Sequence, residues 1–290
     1  MKAFKNFKII IVLLLINSCS KSDDSGTIDS DVDTFLYEYE NQDISITSWQ
    51  AQRSENTFAV SGFGNDGESI FILFNKYGNL EDVIIFTGKD DEDGFSESYS
   101  SFKYFRSNYF DFELIKFDET SKRVSVTFSG NLYEDSYDIE SATRFIEGSF
   151  NVPYNEVTPQ IAGLGVSAKI DNLDWYSTNS STSSSGTTLA VNRYSDDAYV
   201  ISYVIIPNDD TNIGLHQFNE SSTVNKITFS KYDINSNQFI EYETTGSFKV
   251  DEHNIGFGIT VIEGTFNLVA TNGDDIIQVN NGIIKDVYSF

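Results

Sequence analysis

Two short stretches set the terms for any fold of this chain. Phe110, Phe112 and Leu114 alternate with Asp111, Glu113 and Ile115, and Val124, Val126 and Phe128 alternate with Ser125, Thr127 and Ser129. Successive side chains of an extended strand point to opposite faces, so this pattern makes one face apolar and leaves the other to water. That is the signature of an antiparallel sheet. From about Thr34 onward, similar runs are separated by Gly, Asn and Asp, and no stretch keeps the 3.6-residue period of a helix. With 3 Pro in 290 residues, the strands are little interrupted. The sequence therefore predicts an all-β protein. Near its end, Ile276–Val279 and Ile283–Val287 flank Asn280-Asn281-Gly282 and read as a hairpin, because Asn-Gly readily takes positive φ.

Composition narrows the partners. The 24 Phe and 16 Tyr can fill sizeable cores, so the chain is not a disordered acidic tail. There are 44 Asp+Glu against 19 Lys+Arg, a net charge of −25. A surface that negative repels phosphates and anionic lipid head groups, so no nucleic-acid partner is expected. One Cys and two His exclude a disulfide framework and a zinc cluster.

Internal repetition divides the chain. Trp49 is matched by Trp175, Asn56–Val60 by Thr187–Val191, Lys116-Phe117-Asp118 by Lys231-Tyr232-Asp233, and Gly130 by Gly246. Phe145-Ile146-Glu147-Gly148-Ser149-Phe150-Asn151-Val152 recurs as Val261-Ile262-Glu263-Gly264-Thr265-Phe266-Asn267-Leu268. The order is unbroken. It predicts two tandem antiparallel β-sandwich-like domains, 41–157 and 165–290, with a linker at 158–164 beside Pro159, Gly163 and Gly165.

The N-terminus carries Lys2, Lys5 and Lys8, then an apolar run from Ile9 to Ile16, then Asn17-Ser18-Cys19. This describes a signal peptide over 1–18, too short to span a bilayer. The sole cysteine at the cut point resembles the lipobox of bacterial lipoproteins. The resemblance implies an acylated Cys19 held in a lipid bilayer, followed by an acidic tether over 19–40. Lys21, Asp23 and Asp24 resemble the signal that sends Bacteroidota lipoproteins to the outer face of the outer membrane. Ser167-Ala168-Lys169-Ile170-Asp171 with Trp175, and the close Glu263-Gly264-Thr265-Phe266-Asn267-Leu268, make residues 165–290 similar to an uncharacterised Bacteroidota lipoprotein β-domain family. Residues 41–157 read as a diverged second copy. The family implies fold and location and carries no activity.

Candidate chemistry is sparse. Gly62–Gly67 spells G-x-G-x-x-G, but Glu68–Phe74 after it reads as a strand, so the glycines serve a turn rather than a dinucleotide. Asp90, Asp91 and Asp93 are candidate calcium ligands, although Lys89 and Ser100 stand where an EF-hand needs acids. No other cofactor is expected. Asp196-Asp197, Asp209-Asp210 and Asp274-Asp275 read as solvated turns, His253 as a polar turn residue, and Ser180–Ser185 as a flexible loop. No nucleophile motif exists, neither His216 nor His253 belongs to an H-E-x-x-H pattern, and 44 acids single out no catalytic pair. An enzyme is not expected. Most rings among Tyr99, Phe102, Tyr104, Phe105, Tyr109 and Phe110 read as core. Tyr104 and Tyr109, with Arg106, are the candidate ligand-binding residues for a glycan or a protein.

The resulting expectation is a surface-exposed outer-membrane lipoprotein acting as a non-catalytic binding module for a glycan or an outer-membrane protein. The alternatives are a structural or accessory subunit of an outer-membrane complex and a carboxylate-dependent glycan hydrolase.

Overall fold

The alternating runs form strands throughout the computed structural model, which describes residues 32–90, 94–255 and 259–289. Cys19, Lys21, Asp23, Asp24, Asp91 and Asp93 lie outside the described residues. The first sheet has eleven strands: β1 (Thr34–Tyr39), β2 (Gln42–Ser45), β3 (Ser48–Ser54), β4 (Thr57–Phe63), β5 (Glu68–Asn75), β6 (Leu80–Asp90), β7 (Ser96–Ser101), β8 (Phe110–Asp118), β9 (Arg123–Tyr133), β10 (Thr143–Pro153) and β11 (Asn155–Glu156). A four-residue helix, α1 (Arg106–Tyr109), leads into β8. The strands lie in the order β11-β3-β4-β5-β6-β7-β9-β10-β1-β2, with β8 also on β9. All pairs are antiparallel except β11 on β3.

The second sheet has ten: β12 (Gly165–Ile170), β13 (Leu173–Tyr176), β14 (Asn179–Ser185), β15 (Thr188–Tyr194), β16 (Tyr199–Ile205), β17 (Gly214–Phe218), β18 (Lys226–Asp233), β19 (Gln238–Ile255), β20 (Thr260–Asn272) and β21 (Asp275–Tyr288). Their order is β13-β12-β21-β20-β19-β18-β16-β15-β14, with β17 on β19. The protein is therefore all-β, with two sandwich-like domains.

Each sheet curls around its own core. In the first, Phe58 stacks on Phe74 at 5.0 Å, and Phe74 reaches Phe112 at 5.1 Å and Phe150 at 6.3 Å. Those contacts join β4, β5, β8 and β10, which are not all neighbours in the sheet, so the inward faces of distant strands meet. Phe110, Val124, Val126 and Phe128 are buried, while Asp111, Glu113 and Ile115 are exposed, as the alternation requires. In the second domain Trp175, Tyr203, Phe229, Phe248 and Phe266 fill the corresponding core.

Over their first five strands the two copies share a strand plan at a constant offset. β12 to β16 each begin 131 residues after β1 to β5 (165 − 34 and 199 − 68, for example). Both open with a two-residue turn whose residues have positive φ, Glu40-Asn41 and Asp171-Asn172, the geometry that suits strand twist. Lys116-Phe117-Asp118 and Lys231-Tyr232-Asp233 both end a strand before a four-residue turn, where Asp118 accepts from the Thr120 amide and Asp233 from that of Asn235. Trp49 and Trp175 are not equivalents, because Trp49 lies in β3 and Trp175 in β13, whose counterpart is β2. The domains differ at their close. β10 pairs directly with β1, whereas β21 lies between β20 and β12.

Three readings are corrected. Ile276–Val287 is not a hairpin but part of one strand, β21, which pairs with β20 on both sides of a bulge. Asn281 takes its positive φ within that bulge, and Gly282 lacks a Cβ because the Phe266 ring lies 2.5 Å from where one would stand. Ser180–Ser185 is not a loop but most of the edge strand β14, paired residue by residue with β15. The tether assigned to 19–40 contains β1, which pairs with β10.

Candidate functional site

The aromatic segment after β7 does not form an open ligand face. It enters a seam between the two domains. Phe105 takes a left-handed conformation (φ 49°) and turns the chain into α1. Tyr104 then meets Phe239 edge-on at 4.9 Å and Tyr232 at 5.6 Å, both from the second domain. Tyr109 packs edge-on against Phe102 at 5.3 Å, and Phe102 itself meets Tyr232 at 5.8 Å. Tyr77 and Tyr176 stack at 3.6 Å, nearly parallel, elsewhere between the domains. Arg106 is completely buried. The three residues read as a ligand-binding group thus belong to the joint, with Tyr104 and Tyr109 partly buried.

Charge is concentrated at this joint. Asp196 accepts from the Asn79 side chain at 3.0 Å and the Leu80 backbone N–H at 3.1 Å, and its carbonyl accepts from the Ser107 N–H at 2.8 Å. Asp197 accepts at one oxygen from the Trp175 indole N–H at 3.2 Å and the Tyr199 N–H at 2.9 Å. The pair read as a solvated turn is therefore a structural acceptor set, because both carboxylates have N–H donors waiting for them. Burial pushes the Asp197 carboxyl up to about 7. It does the same for Glu81, also to about 7, with Asp82 adding to the rise and Arg106, Lys103 and Arg193 opposing it. No guanidinium nitrogen of Arg106 has a hydrogen-bond partner among the described residues. Its positive charge instead balances Glu81, Asp82 and Asp196 through space. A buried ion pair joins β15 to β21, where Arg193 grips both oxygens of Asp286 and the Tyr203 hydroxyl donates to the same carboxylate at 3.0 Å.

An open surface of ligand-sized dimensions lies on the outer face of the first sheet. A trough of about 1080 Å³ crosses β2, β1, β10, β9 and β8. Strand register builds it in two rows. Asp43 faces Glu38, Glu38 faces Glu147, Glu147 faces Ser129, and Ser129 faces Asp111. Beside them run Ser45, Leu36, Ser149, Thr127 and Glu113, again each opposite the next. Five carboxylates and four hydroxyls thus line a surface held on strands, and no Lys or Arg lines it among the described residues. Leu36, 64% exposed, supplies an apolar spot in its middle.

Sequence reasoning missed this face for a definite reason. Glu38 and Glu147 each sit in a visible alternation, but their adjacency depends on β1 pairing with β10, more than a hundred residues away. The detectable signal was a polar outward row on each strand. Which rows meet is set by register.

Asp90 is exposed at the end of β6. Among the described residues, no group of three or more His, Cys, Asp or Glu is arranged to hold a metal ion. His253 is buried in β19, not in a turn, with its ring nitrogens 2.6 Å from the Tyr288 hydroxyl and 3.1 Å from the Asp209 carbonyl. His216 contacts the Asn212 carbonyl at 2.7 Å. Gly64 and Gly67 lie in the β4–β5 turn. No family model, curated protein or solved structure matches the chain.

Proposed function

We propose that this protein is a lipid-anchored, surface-displayed binding module of the outer membrane that takes a glycan along the trough of its first sheet without catalysing a reaction. The observation that carries the reading is the double row of carboxylates and hydroxyls across five strands. Carboxylates accept hydrogen bonds from sugar hydroxyls, and Ser and Thr hydroxyls both donate and accept. Because every lining group sits on a strand, the face is rigid, and an extended sugar chain can meet many weak partners with little ordering of the protein. The anchoring and surface location rest on the lipobox-like Cys19 and on Lys21, Asp23 and Asp24.

Both sheets lie within 32–289, so a soluble chain from residue 27 to 290 keeps every strand. Screened against a panel of neutral and cationic polysaccharides, that chain binds at least one in a saturable manner. Changing Glu38 and Glu147 to Ala weakens the interaction tenfold or more. No binding across the panel contradicts the reading and favours an accessory-subunit role, to be pursued by cross-linking on intact cells.

A further inference from the structure

The two domains share a strand plan, yet they treat one edge differently. At the 131-residue offset, β14 is the counterpart of β3. The outer edge of β3 is covered: β11 lies parallel to it, pairing Asn155 with Gln52 and Glu156 with Arg53, and the Val157 N–H donates to the Arg53 carbonyl at 2.8 Å. β14 ends its sheet with no strand beyond it among the described residues.

An uncovered edge presents a row of backbone donors and acceptors to any strand of matching length. Proteins commonly blunt such edges with charge, Pro or a bulge. Most other sheet edges here carry carboxylates, Asp43 in β2, Asp174 in β13, Glu156 in β11 and Asp111 in β8, while β17, which pairs only with β19, is a shorter edge of five residues that carries His216. β14, Asn-Ser-Ser-Thr-Ser-Ser-Ser, has no charge and no Pro, and pairs with β15 without a register shift. On a chain of net charge −25, copies repel one another at the acidic edges and meet no local repulsion at β14.

We infer that β14 is a self-association edge, at which a second copy of this chain pairs its own β14 antiparallel about a two-fold axis through Thr182. The pairing is self-complementary. Thr182 faces its own symmetry mate, Ser181 faces Ser183, Ser180 faces Ser184 and Asn179 faces Ser185. Every side chain is small and can hydrogen-bond, which suits cross-strand Ser and Thr pairs. The contact is isologous and closes on itself, giving dimers rather than fibres. Two ten-stranded sheets become one continuous sheet. The inference does not depend on what the trough binds, since the trough belongs to the other sheet.

The test uses residues 27–290, which lack Cys19 and therefore carry no cysteine. Sedimentation across a concentration series should show monomer and dimer in equilibrium, with more dimer as salt screens the net charge. Thr182→Lys sets like charges opposite each other across the axis and should raise the dimer dissociation constant tenfold or more. In Thr182→Cys, the two cysteines face each other with Cα atoms about 4.5–5.5 Å apart, within disulfide range. Mild oxidation should cross-link it at least tenfold faster than Ser221→Cys, in an exposed turn. A chain that stays monomeric at all concentrations and salts overturns the inference. So does a dimer insensitive to Thr182→Lys, or equal cross-linking of the two cysteine variants.

Discussion

Asp196 of the second domain binds Leu80 of the first: one carboxylate oxygen accepts the Leu80 backbone N–H at 3.1 Å while the other accepts the Asn79 amide at 3.0 Å. Burial raises the Asp196 carboxyl against the pull of these bonds, so the clasp stabilises the joint mainly because its loss would leave two donors unpaired, at about 1–3 kcal/mol each. Asp196→Ala should lower stability by about 2–4 kcal/mol, allowing for partial solvent contact. It should also split a single calorimetric transition into two, as the domains lose their coupling. Retention of one transition at the original midpoint would show that the aromatic contacts alone hold the joint.

Glu81 and Asp197 make the joint sensitive to pH. Both are held near 7 by burial, against ordinary values of 4.5 and 3.8. The folded protein therefore keeps protons that the unfolded chain has released. Their contribution to stability is full below about pH 4, falls as pH rises, and is gone above about 7. Glu81→Gln and Asp197→Asn remove the titration, and Asn still accepts from Trp175 and Tyr199. Relative to the unmodified protein, each variant should gain on the order of 2 kcal/mol between pH 5 and pH 8. Urea unfolding at the two pH values measures it, and an equal difference at both would remove the burial account.

The trough acids cost stability where they stand. Glu147 faces Glu38, which in turn faces Asp43, and like charges directly opposite each other on a sheet repel. Glu147→Gln should raise stability by about 0.2–1 kcal/mol, less at high salt, while weakening ligand binding. A loss of stability would mean that Glu147 supports the sheet rather than a ligand.

The Glu-Gly repeat has a steric basis. A Cβ on Gly148 would lie 2.5 Å from the Leu36 carbonyl oxygen and 2.6 Å from the Phe128 ring, and one on Gly264 would strike the Lys249 carbonyl. Gly148→Ala should destabilise by about 1–3 kcal/mol through overpacking. A neutral effect on the unfolding midpoint would contradict the tight approach of β1 to β10.

Local features were legible in the sequence, and long-range ones were not. Alternation at Phe110–Ile115 and Val124–Ser129 gives the buried and exposed faces directly, because it depends only on strand geometry. The offset of Thr57–Val60 to Thr188–Val191 marks true equivalents, whereas Trp49 and Trp175 share only a residue type. Asn281-Gly282 has the chemistry of a hairpin turn, but β20 offers partners on both sides, so the chain bulges and continues. Asp196 and Asp197 look like any acidic turn, down to the local bond from the Tyr199 N–H, until Asn79, Leu80 and Trp175 arrive from elsewhere in the fold. The trough is invisible for the same reason, since Asp43, Glu38, Glu147 and Asp111 become one row only through register.

The most direct measurement is calorimetric titration of a bound polysaccharide into residues 27–290, comparing the unmodified protein with Glu38→Gln/Glu147→Gln and with Tyr104→Ala. If the trough is the binding face and Tyr104 belongs to the joint, the Gln pair weakens affinity tenfold or more. Tyr104→Ala then leaves affinity within twofold while lowering the unfolding midpoint. Affinity lost in Tyr104→Ala and retained in the Gln pair would contradict the account and return the site to the aromatic segment.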